Sequence, residues 1–526
     1  MKNVLKRGAL VGVGAFVVLA SCTKLEENLN STATQAQAST FLGATADLNV
    51  LIQSCYDGLQ IFQNQDGPTS LMENSSDESL VPTRGGDWDD NGVWRVIHNH
   101  TWNADHQQVQ NVFNGLLGIV FNTTNVLTFT SISTAANKDQ IAAEARFIRA
   151  FAMFTVLDLY GQVPFRQPGE DLRNPPTVLS GTAAADFILS ELTAIRTNLP
   201  NSTGVPSAKR ATKDAADVLM MKVLLQKGTY ANRATPTFAA ADMAQVITLA
   251  TGIMNSGRYS LATNVFDNYA RNNDAISTEN IFTNENQGSS RGGNVRSSWY
   301  KGSHYNQNKS GWNGFTTLAD VYDKFEAADQ RRGVVYPTGV AGLPNPGNRI
   351  NAGFLIGQQY NLANDAALND RRGNPLAFTR TVALQESGAN LEVTGIRVNR
   401  YPVDYVSSDD QADNDYVFFR YADVVLMRAE AEMRSGNTAA ALVNVNNLRT
   451  RRGATPLASL TAANMLDERQ REFYWDGWRR MDQIRFGTFL AARTLKPNVS
   501  DPKFLYFPIP NSALAVNPNL RQNPGY

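Results

Sequence analysis

Flat aromatic rings set among small polar residues are the groups in this sequence best placed to do chemistry. Five of the seven tryptophans fall in two loop-like segments, 82–106 and 296–314. The first runs Pro82-Thr83-Arg84-Gly85-Gly86-Asp87-Trp88-Asp89-Asp90-Asn91-Gly92-Val93-Trp94. The second carries Trp299-Tyr300, His304-Tyr305 and Ser310-Gly311-Trp312-Asn313-Gly314. Indole and phenol faces beside Asn, Asp and Arg suit a ligand with apolar C–H faces and a rim of hydroxyls, as a pyranose has. On this reading Trp88, Trp94, Tyr300 and Trp312 are candidate stacking faces, and Arg84, Asp87 and Asn91 candidate hydrogen-bonding groups. The competing reading has the tryptophans capping a core beneath long loops.

Covalent and acid–base chemistry finds weaker support. Gly288-Ser289-Ser290-Arg291-Gly292 matches G-x-S-x-G, but a nucleophile elbow needs a strand before it and a helix after it, and here Asn and Gly flank it. His98, His100 and His106 could share a metal, yet no acidic or Cys ligand sits at tight spacing, so no metal and no cofactor is expected. Asp77-Glu78, Asp87 and Asp89-Asp90 are sequence neighbours, which does not create the separation across a sugar that hydrolysis requires; hydrogen bonding to sugar hydroxyls or a calcium site accounts for them equally well. No Walker loop, HExxH or dinucleotide fingerprint is present.

The 526 residues are 42% hydrophobic, 9% aromatic and 18% charged, a globular composition. The 48 basic residues balance 48 acidic ones, which argues against nucleic acid as the partner. No internal apolar run approaching membrane-spanning length stands out. Lys2, Lys6 and Arg7 precede an uncharged, mostly apolar stretch, Gly8 to Ala20, ending Leu19-Ala20-Ser21-Cys22. Residues 1–22 therefore read as a signal segment. Its end resembles a bacterial lipobox, which implies lipidation of Cys22 and a membrane anchor; an ordinary signal peptide is the alternative. The other cysteine, Cys55, is then without an intramolecular partner and reads as a small core residue. Residues 23–42 have tether composition, and such a chain would span about 25 Å.

The elements that position the candidate groups are mostly helices. Ile141, Ala145, Ile148, Ala152 and Leu159 form one stripe, stopped at Gly161. Further helices are expected from Ala211 to Lys227, closed by Gly228, and from Met243 to Met254. Ala422 to Met433 forms another, turned by Ser435-Gly436-Asn437 into a return helix capped by Thr438, and a last long helix spans about Thr461 to Phe486. The spacing predicts a mainly α protein of degenerate tetratricopeptide-like helical hairpins. Between 259 and 415 Gly, Asn, Ser and Pro are frequent, with few helical runs beyond Leu318 to Phe325 and short strand-like runs such as Gly395-Ile396-Arg397-Val398. The expected division is a helical region 43–258, a loop-rich second lobe with short strands at 259–415, and a helical region 416–526.

The C-terminal helix reads Glu468-Arg469-Gln470-Arg471-Glu472-Phe473-Tyr474-Trp475-Asp476-Gly477-Trp478-Arg479-Arg480-Met481-Asp482-Gln483-Ile484-Arg485-Phe486-Gly487. It resembles the signature of the SusD/RagB family, departing from it at Asp476 and Gln483. Phe507-Pro508-Ile509-Pro510, the ending Asn517 to Tyr526, Arg420 to Ala431, Glu144 to Ala150 with Tyr160-Gly161 and Val163-Pro164, and Arg210 to Lys213 also resemble family blocks. The resemblance implies an outer-membrane lipoprotein, lipid-anchored and facing the exterior, that binds glycan without catalysis and delivers it to a SusC-like TonB-dependent transporter. Lys24-Leu25-Glu26-Glu27 resembles the acidic signal for surface export. It also implies that an aromatic arc from the two Trp-rich segments contacts glycan, with Tyr300 and Trp312 near the matching positions and either Trp88 or Trp94 in the first segment. Glu468, Glu472, Arg469 and Arg471 read as a half-buried ion-pair network rather than as catalytic charges. A helical-repeat scaffold that binds proteins and a secreted glycoside hydrolase are the alternatives.

Overall fold

The computed structural model describes residues 47–288, 292–389, 391–408 and 411–526. Cys22, the signal segment 1–22 and the tether 23–42 lie outside the described residues, as do the three central residues of the Gly288–Gly292 motif.

Helices Gln107–Ile132, Lys138–Tyr160, Gly181–Ile195, Lys213–Ala231, Ala240–Met254, Tyr421–Arg434 and Thr438–Arg451 form a row in which each packs on the next. The protein is mainly α, with few and short strands. Stripes of small and branched residues allow this close packing: Ile141, Ala145, Ile148, Ala152 and Leu159 are buried, and so are Ala422, Ala429, Ala441, Val445 and Leu448. Gly161, at φ 73°, ends the second helix in the left-handed conformation that favours glycine. Ala240–Met254 and Tyr421–Arg434 touch although the whole second lobe separates them in sequence, so the row is continuous and the lobe is inserted into it. Cys55 is buried in the same core, and burial pushes its thiol up to about 12.

The chain enters and leaves most of the lobe through one antiparallel pair, Asn280–Asn284 with Tyr416–Arg420. Phe282 and Phe418 from this pair stack at 5.4 Å and pack on Phe151 of the second helix, fixing the base of the lobe to the row. Inside the lobe Ala352–Leu355 is the centre of a three-stranded antiparallel sheet, with Arg397–Asn399 on one side and Gly333–Val334 on the other.

Several elements differ from the sequence expectation. The helix starting at Lys213 runs through Gly228 to Ala231. Gly228 is not a stop; a Cβ there would lie 1.8 Å from the Thr237 carbonyl oxygen, so glycine permits a close crossing. Asn437, not Thr438, caps the return helix, accepting from the Ala440 N–H. The helix expected at Leu318 to Phe325 covers only Ala319–Tyr322, and the lobe also holds short helices at Asn273–Ile276 and Ser297–Tyr300. The expected helix 461–486 is two, Ala462–Phe473 and Arg479–Arg485. Between them Trp475 and Gly477 take φ values of 62° and 87°. Buried carboxylates satisfy the freed amides, Glu78 accepting from Trp475 N–H at 3.2 Å and Glu73 from Gly477 N–H at 2.5 Å. Nothing local in the sequence reveals these distant acceptors. Gln107–Ile132 is long and apolar enough to cross a membrane, contrary to the expectation, but half of its most apolar stretch is buried against its neighbours, as in a core helix.

Candidate functional site

The two Trp-rich segments meet. Leu80 and Thr316 exchange backbone hydrogen bonds at 2.9 Å in both directions, and Thr317 N–H donates to the Ile396 carbonyl at 2.9 Å. Trp88 then reaches across the junction, its indole N–H donating to the Trp312 carbonyl at 2.9 Å. Gly314 makes this approach possible, since a Cβ there would stand 2.4 Å from the Trp88 ring. The turn around Trp312 is held from below. Trp312 N–H donates to the Tyr300 carbonyl at 2.7 Å, and buried Arg397 donates to Asn313 Oδ1 at 2.9 Å.

Within this junction the candidates separate into support and surface. Trp94 is buried, packed edge-on with Trp88 and Phe315 at 5.7 and 5.5 Å, and its indole N–H donates to Asp90 at 2.7 Å. Tyr300 is buried, with its ring edge-on to Trp312 at 5.3 Å. Neither offers an open face. Arg84 is buried as well, donating to the Leu391 and Thr394 carbonyls at 2.7 Å each. Desolvation pushes its guanidinium down to about 10. These three residues build the platform rather than its surface. Trp88 and Trp312 remain half-buried, and Asp87 and Asn91 are exposed. Of the two tryptophans left open in the first segment, Trp88 therefore keeps a solvent-facing part.

Asp87 belongs to a polar network whose other members were not among the candidates. Its Oδ2 accepts from the Tyr305 hydroxyl at 2.8 Å and from Arg371 at 3.2 Å. The Arg371 guanidinium lies 3.9 Å above the Tyr305 ring and donates to Glu392 at 2.6 Å, while His304 Nε2 stands 2.9 Å from the other Glu392 oxygen. Tyr305 was visible in the second segment as an aromatic; Arg371 lies in a loop of ordinary polar composition and carries no local signal. Burial raises the Glu392 carboxyl, but the Arg371 N–H, His304 and the Arg371 side chain outweigh it and hold the acid below its ordinary value. An acid kept ionised in this way is unsuited to protonate a leaving group. The arrangement presents aromatic edges and fixed hydrogen-bonding groups, which is binding chemistry.

The histidines of the first segment take separate roles. His100 bonds the Ser75 carbonyl at 2.7 Å and Ser500 Oγ at 2.8 Å and stacks on Phe489 at 4.5 Å, while His106 caps the helix Gln107–Ile132. Among the described residues no group of three or more His, Cys, Asp or Glu side chains is arranged to hold a metal ion.

A family model described as SusD family matches residues 273–499. The chain is 27% identical to the starch-binding protein SusD of Bacteroides thetaiotaomicron, over 93% of this chain and 92% of that protein. Its fold is similar to that of a SusD superfamily protein from Parabacteroides distasonis, with a TM-score of 0.69, 18% identity and coverage of 94% of this chain and 100% of the other. It is likewise similar to surface glycan-binding protein A of Bacteroides thetaiotaomicron in complex with laminarihexaose, with a TM-score of 0.67, 17% identity and coverage of 90% and 98%. The C-terminal signature read from the sequence lies inside the matched stretch 273–499, and these likenesses are to SusD and SusD-like proteins.

Proposed function

We propose that this protein is a surface lipoprotein that binds a glycan on the ledge formed by Trp88, Trp312 and Tyr305 and passes it to a TonB-dependent, SusC-like transporter in the outer membrane. It is a binding protein and not an enzyme, as its relatives are. In this reading the helical regions 43–258 and 416–526 are the scaffold, and the ledge joins the Asp87–Trp88 loop of the first to the lobe 259–415. The observation that carries it is the hydrogen bond from the Trp88 indole to the Trp312 backbone carbonyl, which joins segments 224 residues apart in one junction. Asp87 and Arg371 stand beside Tyr305 with donors and acceptors for sugar hydroxyls. Because buried Arg397 and the Tyr300 carbonyl already fix the Trp312 turn, little ordering remains to be done on binding.

Trp312→Ala is expected to weaken binding of starch-derived or β-1,3-glucan oligosaccharides by roughly 1–3 kcal/mol, as removal of a stacking aromatic does. Calorimetry on protein lacking residues 1–22, paired with thermal melts, checks this. A fallen melting midpoint with normal affinity would make Trp312 a core cap instead, and product release in the same assay would support the hydrolase reading.

Membrane attachment is a separate matter. Several acyl chains on Cys22 would make release negligible, whereas one would not. Cys22→Ser is therefore expected to move the protein from the outer-membrane fraction to the soluble one in cells lacking the transporter. Retention in the membrane fraction would remove the lipobox from the account.

A further inference from the structure

The turn that carries Tyr305 also contributes Ser303, Gln307 and Asn308 to the wall of another cavity, of about 440 Å³, in the second lobe. None of Trp88, Trp312, Asp87 and Tyr305 lines it. Its volume lies within the roughly 300–1,000 Å³ of small-ligand pockets. Aromatic side chains, Tyr360 and Tyr405 among them, share the lining with primary amides, and no Asp, Glu or Lys takes part.

Its two cations differ. Arg349 is already neutralised, pairing with both oxygens of Asp365 at 2.8 and 3.0 Å while stacked 3.6 Å over Tyr360. Arg332 donates to the Tyr322 hydroxyl and lies 4.4 Å over that ring, but among the described residues no carboxylate stands within ion-pairing distance of it. The contrast with the preceding residue is direct: Arg331 pairs with Asp329, Glu468 and Glu472. A half-buried guanidinium without a counter-ion has lost part of its hydration and gained no anion in return. Asn399, also in the wall, is 4% exposed. It turns its Nδ2 to the Asn351 carbonyl at 3.3 Å, and its buried Oδ1 has no hydrogen-bond partner in the protein. The cavity therefore combines a cation lacking an anion, a buried acceptor lacking a donor, and aromatic walls.

We propose that this cavity binds one uronic acid residue of an anionic saccharide, Arg332 taking the carboxylate and Asn399 Oδ1 accepting from a ring hydroxyl. A guanidinium fork matches a carboxylate in two parallel hydrogen bonds, and a sugar acid supplies the hydroxyl donor and the apolar ring face as well. The proposal stands apart from the ledge: it requires no contact with Trp88 or Trp312.

The test is calorimetric titration of the protein lacking residues 1–22 with trigalacturonate, trimannuronate and a glucuronate-containing disaccharide. Maltotriose and a triglutamate peptide serve as neutral and peptide comparators. At least one uronate is expected to bind. Arg332→Gln should weaken that binding by about tenfold or more, as loss of a charge-assisted contact does. Ala327→Trp gives a second route, because Ala327 is an exposed residue of the cavity lining, and bulk there narrows the opening without touching the core. It should weaken uronate binding comparably at an unchanged melting midpoint. Trp312→Ala should change it by less than about twofold, since separate sites act independently. The proposal is overturned if no uronate binds, if maltotriose or triglutamate binds as well as the uronate, or if Trp312→Ala abolishes uronate binding while Arg332→Gln and Ala327→Trp leave it intact. Loss of maltotriose binding alone in Trp312→Ala would bear on the ledge and leave this cavity untouched.

Discussion

Glu472→Ala is expected to destabilise the protein by about 3–5 kcal/mol, the scale of breaking a fully buried ion pair from one side. Glu472 is buried and accepts from Arg331 at 3.0 Å, from Arg452 at 2.8 Å and from Arg420 at still closer range. Each of these arginines is itself buried. Burial alone would raise the Glu472 carboxyl, but Arg452, Arg420 and Arg331 hold it well below its ordinary value. Glu279, which pairs with Arg452 at 2.7 Å and Arg420 at 3.3 Å, cannot replace it, because two guanidiniums would then share one carboxylate and Arg331 would lose a partner. The loss is thus one negative charge shared by three buried guanidiniums, each left with fewer partners, rather than one hydrogen bond. Denaturant titration measures it. A change below about 1 kcal/mol, the range of exposed pairs, would mean that water reaches the cluster.

The second large effect lies in the helix row. Ala429 is fully buried on Tyr421–Arg434, the helix held between Ala240–Met254 and Thr438–Arg451. Ala429→Asp adds bulk to a closely packed face and an unpaired charge with it. The expected cost is about 3–5 kcal/mol, seen as insolubility or a sharply lower unfolding midpoint. Ala429→Asn adds nearly the same bulk without the charge, so the difference between the two variants isolates the charge. Equal midpoints for Ala429→Asp and the unchanged protein would contradict the burial of this face.

What the sequence made legible follows the range of the interactions. Helix stripes repeat within a few residues, so Ile141 to Leu159 and the hairpin around Gly436 could be read directly. The charged C-terminal helix also carried its meaning locally: Glu468 with Arg471 and Glu472 among apolar neighbours indicated an ion-pair network, and Glu468 does pair with Arg331, Arg449 and Arg471. The break at Trp475 could not be read, because Glu73 and Glu78, which satisfy its amides, lie about four hundred residues earlier. Gly228 misled for a related reason, its neighbour Thr237 belonging to the next loop rather than to the helix. At the ledge, composition singled out two segments that the fold brings together, but not which rings face out. That depends on Asp87 meeting Tyr305 and Arg371 across 218 and 284 residues. It also left Trp94 and Tyr300 indistinguishable from Trp88 and Trp312, since a ring that supports a platform and a ring that forms its surface have the same sequence context.

The paired strands at the base of the lobe give it the topology of an exchangeable cassette. Its two ends, Asn280–Asn284 and Tyr416–Arg420, lie side by side, so the intervening chain can change length and content while the gap it must bridge stays fixed. Closing a longer loop adds little free energy, about 0.6 kcal/mol for each doubling. Much of the recognition surface can therefore change on an unchanged helical row, although Asp87 and Trp88 of the ledge lie outside the cassette. Arg331 lies inside the cassette and supplies the counter-charge to Glu468 and Glu472 on the C-terminal helix. A replacement lobe that omits this arginine would leave each of two buried carboxylates of its host one counter-charge short, so the helical body favours lobes that supply it.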